Sequence, residues 1–190
     1  GLAYFEPAYA DEVALFMRWA FEYLQKPEGS SVYLRLSTRQ IQQVTREDTQ
    51  WEEDALKGGY WLRKPSQGSQ AAIAFTGAIA PEILSAYEQL VDDVPGLGVL
   101  NITSPDVLHR EWSAQKAARW TGQKGPVSHI ETLLSDLAPH AGIVTAIDGS
   151  PGALSWIGGV KGMRISPLGT DQFGQTGDLP DLYRSYRLDA

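Results

Sequence analysis

The sequence predicts an α/β fold in which helices cover both faces of a mostly parallel sheet. Short apolar runs alternate with longer segments of helical periodicity along most of the 190 residues. The apolar runs show little alternation of polar and apolar residues, which is typical of strands buried on both faces. Hydrophobic residues make up 43% of the chain, enough to form a core between such layers.

Charge and cysteine content exclude several classes of function. The formal net charge is −7, so no excess of basic residues is available to displace counterions from a nucleic acid. The chain has no cysteine, which rules out disulfides and thiolate chemistry and fits a cytoplasmic location. No apolar run is long enough to cross a bilayer. We therefore expect neither a nucleic-acid partner nor a membrane partner.

The first element is a helix predicted at residues 7–24. Pro7 suits its first turn, and Asp11 and Glu12 lie near the positive end of the helix dipole. A strand is predicted next, at 32–36. The helix has apolar residues at helical spacing, which predicts a buried stripe made of Val13, Phe16, Met17, Ala20, Phe21 and Leu24.

An acidic segment follows at 45–59. Five acidic residues fall within 47–54, and Gly58 and Gly59 end the segment. We interpret it as a partly helical polar connection and as the best candidate for a domain boundary. Because the acidic residues lack the spacing of a calcium loop, a solvated face is the better interpretation.

From Tyr60 onward strands alternate with helices. Strands are predicted at 60–64, 71–77, 96–103, 142–149 and 163–169. Helices are predicted from Pro81, from the N-cap Ser104 to about Trp120, from a capping box at Ser128 and Glu131, after Ser150, and at 178–188.

A possible ligand site lies at the carboxyl ends of the strands, where open α/β sheets bind their ligands. The residues at these ends are Thr76, Gly77, Ser104, Asp148, Ser150, Gly169, Thr170, Asp171, Phe173 and Gly174. They could bind a small anion or a nucleotide, or they could serve only as turns and N-caps. No dinucleotide fingerprint, phosphate-binding loop or nucleophile elbow occurs. No catalytic, cofactor-binding or metal-binding residue is therefore assigned.

The histidines and tryptophans also favour structural roles. His109 is expected on a helix, His129 at a helix start and His140 in a loop, and none has another ligand at metal-binding spacing. The six tryptophans are better explained by core and interface packing than by a carbohydrate-stacking surface.

Three segments carry a resemblance to a known family. They are FEPAYADEVALFM (5–17), GVLNITSPDVLHREW (98–112) and LGTDQFGQTGDLPDLYRSYRLDA (168–190). Together they resemble the C-terminal region of transketolase-like thiamine diphosphate enzymes, and most of all the homodimeric type of the decarboxylating first component of pyruvate dehydrogenase. The last segment matches at Leu168, Gly169, Thr170, Asp171, Phe173, Gly174, Asp189 and Ala190.

The resemblance implies a domain organisation. Residues 1–45 would be the tail of the middle, pyrimidine-binding domain, 46–59 a linker, and 60–190 the transketolase C-terminal-like domain. That domain is implied to be a three-layer sandwich whose sheet has four parallel strands and one antiparallel strand, the latter at 60–64.

The resemblance also implies a function for the parent protein. Thiamine diphosphate and Mg²⁺ would bind in domains upstream of Gly1, where the Gly-Asp-Gly metal motif and the catalytic glutamate are expected. This chain alone would not be catalytic and would serve in structure and dimerisation. The parent would decarboxylate a 2-oxo acid or transfer a two-carbon ketol unit. Its partners would be a second subunit and, in a multienzyme complex, an acyltransferase component.

Overall fold

The N-terminal residues form a small parallel sheet with one crossover helix. The computed structural model describes residues 1–123, 125–172, 174 and 176–189. Strand β1 (Ala3–Phe5) pairs in parallel with β2 (Val32–Leu34), and helix α1 (Ala10–Tyr23) connects them. The predicted helix and second strand are confirmed. Strand β1 was not predicted, because three residues are too few to show a period.

Helix α1 is rotated relative to the predicted stripe. Phe16 and Ala20 are buried as expected, but Met17, Phe21 and Leu24 are 39%, 62% and 49% exposed. The buried face instead contains Glu12 and Leu15. The reason is that Glu12 forms buried polar contacts with the main sheet, which turn this edge of the helix inward. The prediction for Met17, Phe21 and Leu24 was therefore wrong for the described chain.

The remaining residues build a five-stranded sheet. Its strand order is β3-β5-β4-β6-β7. After α2 (Gln50–Leu56), the elements are β3 (Gly59–Arg63), β4 (Ser69–Thr76), α3 (Ala80–Leu90), β5 (Gly98–Ile102), α4 (Pro105–Trp120), α5 (His129–Leu133), β6 (Leu137–Ile147), α6 (Gly152–Ser155), β7 (Arg164–Leu168) and α7 (Leu179–Tyr186). Strand β3 is antiparallel to β5, and the other neighbouring pairs are parallel. Four parallel strands and one antiparallel strand are therefore confirmed.

Two hydrophobic clusters place a helical layer on each face of this sheet. On one face, Leu108 of α4, Ile130 of α5 and Leu154 of α6 pack against the sheet. On the other face, Ile83 of α3 and Tyr183 of α7 do so. The three-layer α/β sandwich is confirmed. Within the described part of the chain, no helix is long and apolar enough to span a membrane.

Strand β6 starts earlier than the sequence predicts. It begins at Leu137 and includes His140, whose φ is +61°. The pairing register shifts between Ser69 and Ala71 of the neighbouring β4. The expected loop at His140 was wrong, because an irregular strand start of this kind tolerates both Pro139, which suggested the loop, and the positive φ of His140.

Candidate functional site

The carboxyl ends of the parallel strands lie beneath the N-terminal residues of the same chain. Thr76 at the end of β4 and Ser104 after β5 are fully buried. The backbone N–H of Glu6 donates to the Thr103 carbonyl at 2.7 Å. The structure therefore brings the predicted strand ends together, and residues just after β1 cover them.

An ion pair between buried Glu6 and partly exposed Arg35 occupies this junction. The Glu6 side chain is 2% exposed and accepts hydrogen bonds from Arg35 and from the Tyr4 hydroxyl. Arg35 also donates to the Asp148 carbonyl at 2.7 Å. Burial lowers the pKa of Arg35, but the charge of Glu6 and its hydrogen bond outweigh burial and raise the pKa overall. The chain's own carboxylate thus lies where the sequence suggested a bound anion.

Two of the predicted glycines are required by close packing. Gly77 has φ +66°, and a Cβ atom there would lie 2.5 Å from Oε1 of Glu6. A Cβ atom on Gly169 would lie 2.5 Å from the Gly149 carbonyl oxygen. Because Cβ atoms do not approach other atoms this closely, both positions have a structural reason for glycine.

The other predicted residues form turns and caps. Ser104 caps α4 by accepting from the Val107 N–H at 3.2 Å. The Thr170 N–H donates to the Gly149 carbonyl at 2.7 Å. Three of the predicted positions, Ser150, Asp171 and Gly174, are exposed. Phe173 lies outside the described residues.

A second junction, which the sequence analysis missed, surrounds Glu12. Its Oε2 accepts the N–H groups of Ala8 and Tyr9 at 2.6 and 3.2 Å. Its Oε1 accepts the Tyr60 hydroxyl at 2.5 Å and Nδ2 of Asn101 at 2.6 Å. Burial raises the pKa of Glu12 to about 7, although these hydrogen bonds act in the opposite direction. The only hint in the sequence was a glutamate beside an apolar stripe.

Arg46 completes the second junction. Its guanidinium donates to Asp11 at 2.7 Å and to the Tyr60 hydroxyl at 2.8 Å, and it lies 3.6 Å from Glu12. It also stacks over the Trp51 ring, 4.2 Å from the centroid. Burial lowers the pKa of Arg46, and the bonds to Asp11 and Tyr60 more than reverse this effect.

A third arginine of the same connecting segment reaches α3. Arg39 forms a two-pronged ion pair with Glu82 at 2.8 and 2.6 Å and donates to the Ala78 carbonyl at 3.2 Å. The bond to Glu82 raises the pKa of Arg39. Arg35, Arg39 and Arg46 therefore attach one irregular segment, 35–46, to α1, α3, β3 and the residues that follow β1 and β6. Arg35 lies in the predicted strand 32–36 and Arg46 in the predicted acidic segment 45–59, so no sequence signal singled out these three arginines.

Among the described residues, no group of three or more histidine, cysteine or carboxylate side chains could hold a metal ion such as the Mg²⁺ of the implied cofactor. His129 contacts the Gly59 carbonyl at 2.8 Å. The Ser113 hydroxyl lies 3.4 Å from Nε2 of His109, which is exposed on α4. The aromatic rings near that histidine are those of Trp112 and Trp156.

The fold is shared with part of solved transketolases. A transketolase variant from Pichia stipitis aligns over 99% of this chain with a TM-score of 0.67 and 18% identity. Transketolase from Campylobacter jejuni aligns over 99% with a TM-score of 0.65 and 15% identity. A split-gene transketolase, solved as an inactive β4 tetramer, aligns over 99% with a TM-score of 0.64 and 17% identity.

These similarities cover only part of the other proteins. The chain spans 23% of the Pichia stipitis protein, 24% of the Campylobacter jejuni protein and 54% of the split-gene protein. No protein-family model matches the chain, and no curated protein matches it at a significant level. At such identities the comparisons show the fold, while activity must be argued separately.

Proposed function

We propose that the chain is the C-terminal region of a thiamine diphosphate enzyme with the transketolase fold, and that it has a structural role. In this proposal, residues 1–45 belong to the tail of the pyrimidine-binding domain. Residues 46–59 are the linker, and 60–190 are the C-terminal domain. The chain would hold these parts together and contribute to a homodimer, with the catalytic groups supplied by upstream domains.

The observation that carries this proposal is the incomplete N-terminal sheet. Parallel sheets are normally covered on both faces, yet β1 and β2 form only a pair. Tyr33 on its outer face is 50% exposed and stacks on Tyr4. Met17 and Phe21 of α1 and Leu24 at its C-cap are also exposed. Additional strands and helices of one domain would bury these surfaces.

The parent activity is proposed on the resemblance of the three sequence segments. It would be decarboxylation of a 2-oxo acid, as in the first component of pyruvate dehydrogenase, or transfer of a two-carbon ketol unit. An acyltransferase component would be a partner only in the first case. A cytoplasmic location fits the cysteine-free composition.

A cofactor titration and an activity assay test whether this chain is inactive by itself. The purified chain is titrated with thiamine diphosphate and Mg²⁺ while tryptophan fluorescence is recorded, and it is assayed with pyruvate and with a ketose phosphate. We expect no saturable quenching of the fluorescence and no turnover, because in this proposal the cofactor site lies in upstream domains. Saturable binding would contradict the proposal that the cofactor site lies upstream.

The alternative is a small anion or nucleotide bound at the strand-end loops. An anion near Gly77 would have to displace the Glu6 carboxylate, which Arg35 and Tyr4 hold. Calorimetric titration with nucleotides and sugar phosphates separates the two functions. We expect no heat of binding, whereas saturable binding that is lost in Arg35→Gln would favour the alternative.

A further inference from the structure

A cavity of about 470 Å³ lies beside the connecting segment, away from the strand ends. It is bounded by residues 41–45, by Arg63 at the end of β3 and by one face of α3. Its volume falls within the range that small-molecule sites occupy. The apolar part of its wall is formed by Tyr9, Ile41, Val44, Pro81 and Leu84.

The cavity is lined by two charged residues of opposite sign. Arg63 donates from Nη1 to the carbonyl of its neighbour Leu62 at 3.0 Å. Glu88 lies on α3. Across residues 1–123, 125–172, 174 and 176–189, neither side chain forms an ion pair, whereas Arg39 and Arg46 nearby are paired. Both side chains are exposed, so two solvent-exposed charges that line the cavity are available to a ligand.

Tyr9, which lines the cavity, also carries an unsatisfied polar group. The Tyr9 hydroxyl is buried and has no hydrogen-bond partner within the described part of the chain. Buried hydroxyls are normally hydrogen-bonded, so an unpaired one beside a cavity indicates a missing partner. A small side-chain movement would be needed to bring this hydroxyl to the cavity surface.

We propose that this cavity binds a small zwitterion, namely an α-amino acid with an apolar side chain. The guanidinium of Arg63 matches the ligand carboxylate, since arginine binds carboxylates in a two-pronged geometry. Glu88 accepts from the ligand ammonium group. The apolar wall contacts the ligand side chain. This inference does not depend on the proposed function.

The test is an NMR titration of the isotopically labelled 190-residue chain with L-leucine. Three analogues each remove one feature: 4-methylpentanoate lacks the ammonium group, leucinamide lacks the carboxylate, and glycine lacks the side chain. We expect saturable shifts of cavity residues with leucine. Each of the first two analogues should bind about tenfold more weakly, the effect of losing one charge-assisted hydrogen bond, and glycine should also bind more weakly.

Two variants assign the contacts. Arg63→Gln should weaken leucine and 4-methylpentanoate but not leucinamide, and Glu88→Gln should weaken leucine and leucinamide but not 4-methylpentanoate. Lys26→Gln is the control, because Lys26 is exposed and does not line the cavity. The spectrum of each variant verifies its fold. Absence of saturable shifts at the cavity, or 4-methylpentanoate binding as tightly as leucine, would overturn the proposal.

Discussion

Glu12 shows how one buried carboxylate can join two parts of the chain. Its four hydrogen-bond donors come from the residues before α1, from β3 and from β5. Asp11 and Arg46 are the other charged groups at this junction. Burial opposes ionisation of Glu12, whereas the hydrogen-bond donors favour it. Because burial has the larger effect, the pKa of Glu12 rises to about 7.

The raised pKa of Glu12 predicts a specific pH dependence. A folded-state pKa of about 7 against 4.5 means that the folded chain holds a proton that the unfolded chain has released. The stabilisation is full below about 4.5 and falls as the pH rises to about 7, by at most about 1.4 kcal/mol per pH unit.

We therefore expect the free energy of unfolding of the wild type, relative to Glu12→Gln, to decrease over that pH range. Urea denaturation at matched pH values measures it. Glu12→Gln should destabilise the chain most below about pH 4.5, by about 3 kcal/mol, and progressively less as the pH rises, because its amide N–H₂ faces groups that donate. If the difference in free energy of unfolding between the wild type and Glu12→Gln grew with pH, the hydrogen-bond donors would have a larger effect than burial on the pKa of Glu12.

Gly77 and Gly68 provide a matched pair of substitutions. Both have positive φ, +66° and +78°, but a Cβ atom on Gly68 would have open space around it. Gly68→Ala should cost about 1 kcal/mol of unfolding free energy from backbone strain alone. Gly77→Ala should cost about 3 kcal/mol, because it also displaces the Glu6 carboxylate from Arg35. Equal losses in thermal or urea unfolding would contradict the close packing of Glu6 on Gly77.

At the scale of elements, the connecting segment 35–46 is attached by arginines rather than by regular structure. Arg39 and Glu82 are only 23% and 16% exposed. We expect Arg39→Ala to destabilise the chain by about 2 kcal/mol, and Arg39→Lys to restore only part of this because lysine cannot form the two-pronged bond. A double-mutant cycle with Glu82→Gln measures the coupling.

The exposed pair Arg110 and Asp106 on α4 is the control for that cycle. These side chains are 58% and 50% exposed and lie 3.1 Å apart. Solvent screens such pairs, so their coupling should be below about 0.5 kcal/mol. If both cycles gave the same small value, the attachment of segment 35–46 by Arg39 would be refuted.

The two sides of α1 should respond differently to substitution. Phe16 is fully buried and stacks on Phe5 at 4.5 Å, whereas Phe21 is 62% exposed. Phe16→Ala should destabilise the chain by about 4 kcal/mol. Phe21→Ser should change stability by less than about 0.5 kcal/mol in this chain, as expected for an exposed site. A large loss for Phe21→Ser in urea unfolding would mean that α1 packs on its opposite side.

At the scale of the whole molecule, the sheet could be predicted because its signals are local. Strands β4, β5 and β7 and helices α3 and α4 each carry an apolar pattern or a cap within a dozen residues. The antiparallel direction of β3 was predicted from the family resemblance alone, because the residue pattern of a five-residue strand does not indicate its direction in the sheet.

The junctions could not be predicted because they depend on distant pairs. Arg35 meets Asp148, and Glu12 meets Asn101, across separations of 113 and 89 residues. Nothing near Glu12 in the sequence distinguishes a buried glutamate from one that interacts with the helix dipole at the surface. The rotation of α1 and the covering of the strand ends both follow from these long-range contacts.

The central claim is that this chain is the C-terminal part of a larger enzyme. The mass of the natural protein tests it most directly. An antibody raised against the 190-residue chain is used to probe an extract of the source cells. We predict a band several-fold heavier than 20.8 kDa, whose loss on targeted disruption of the coding sequence verifies its identity. A band near 20.8 kDa would contradict the claim.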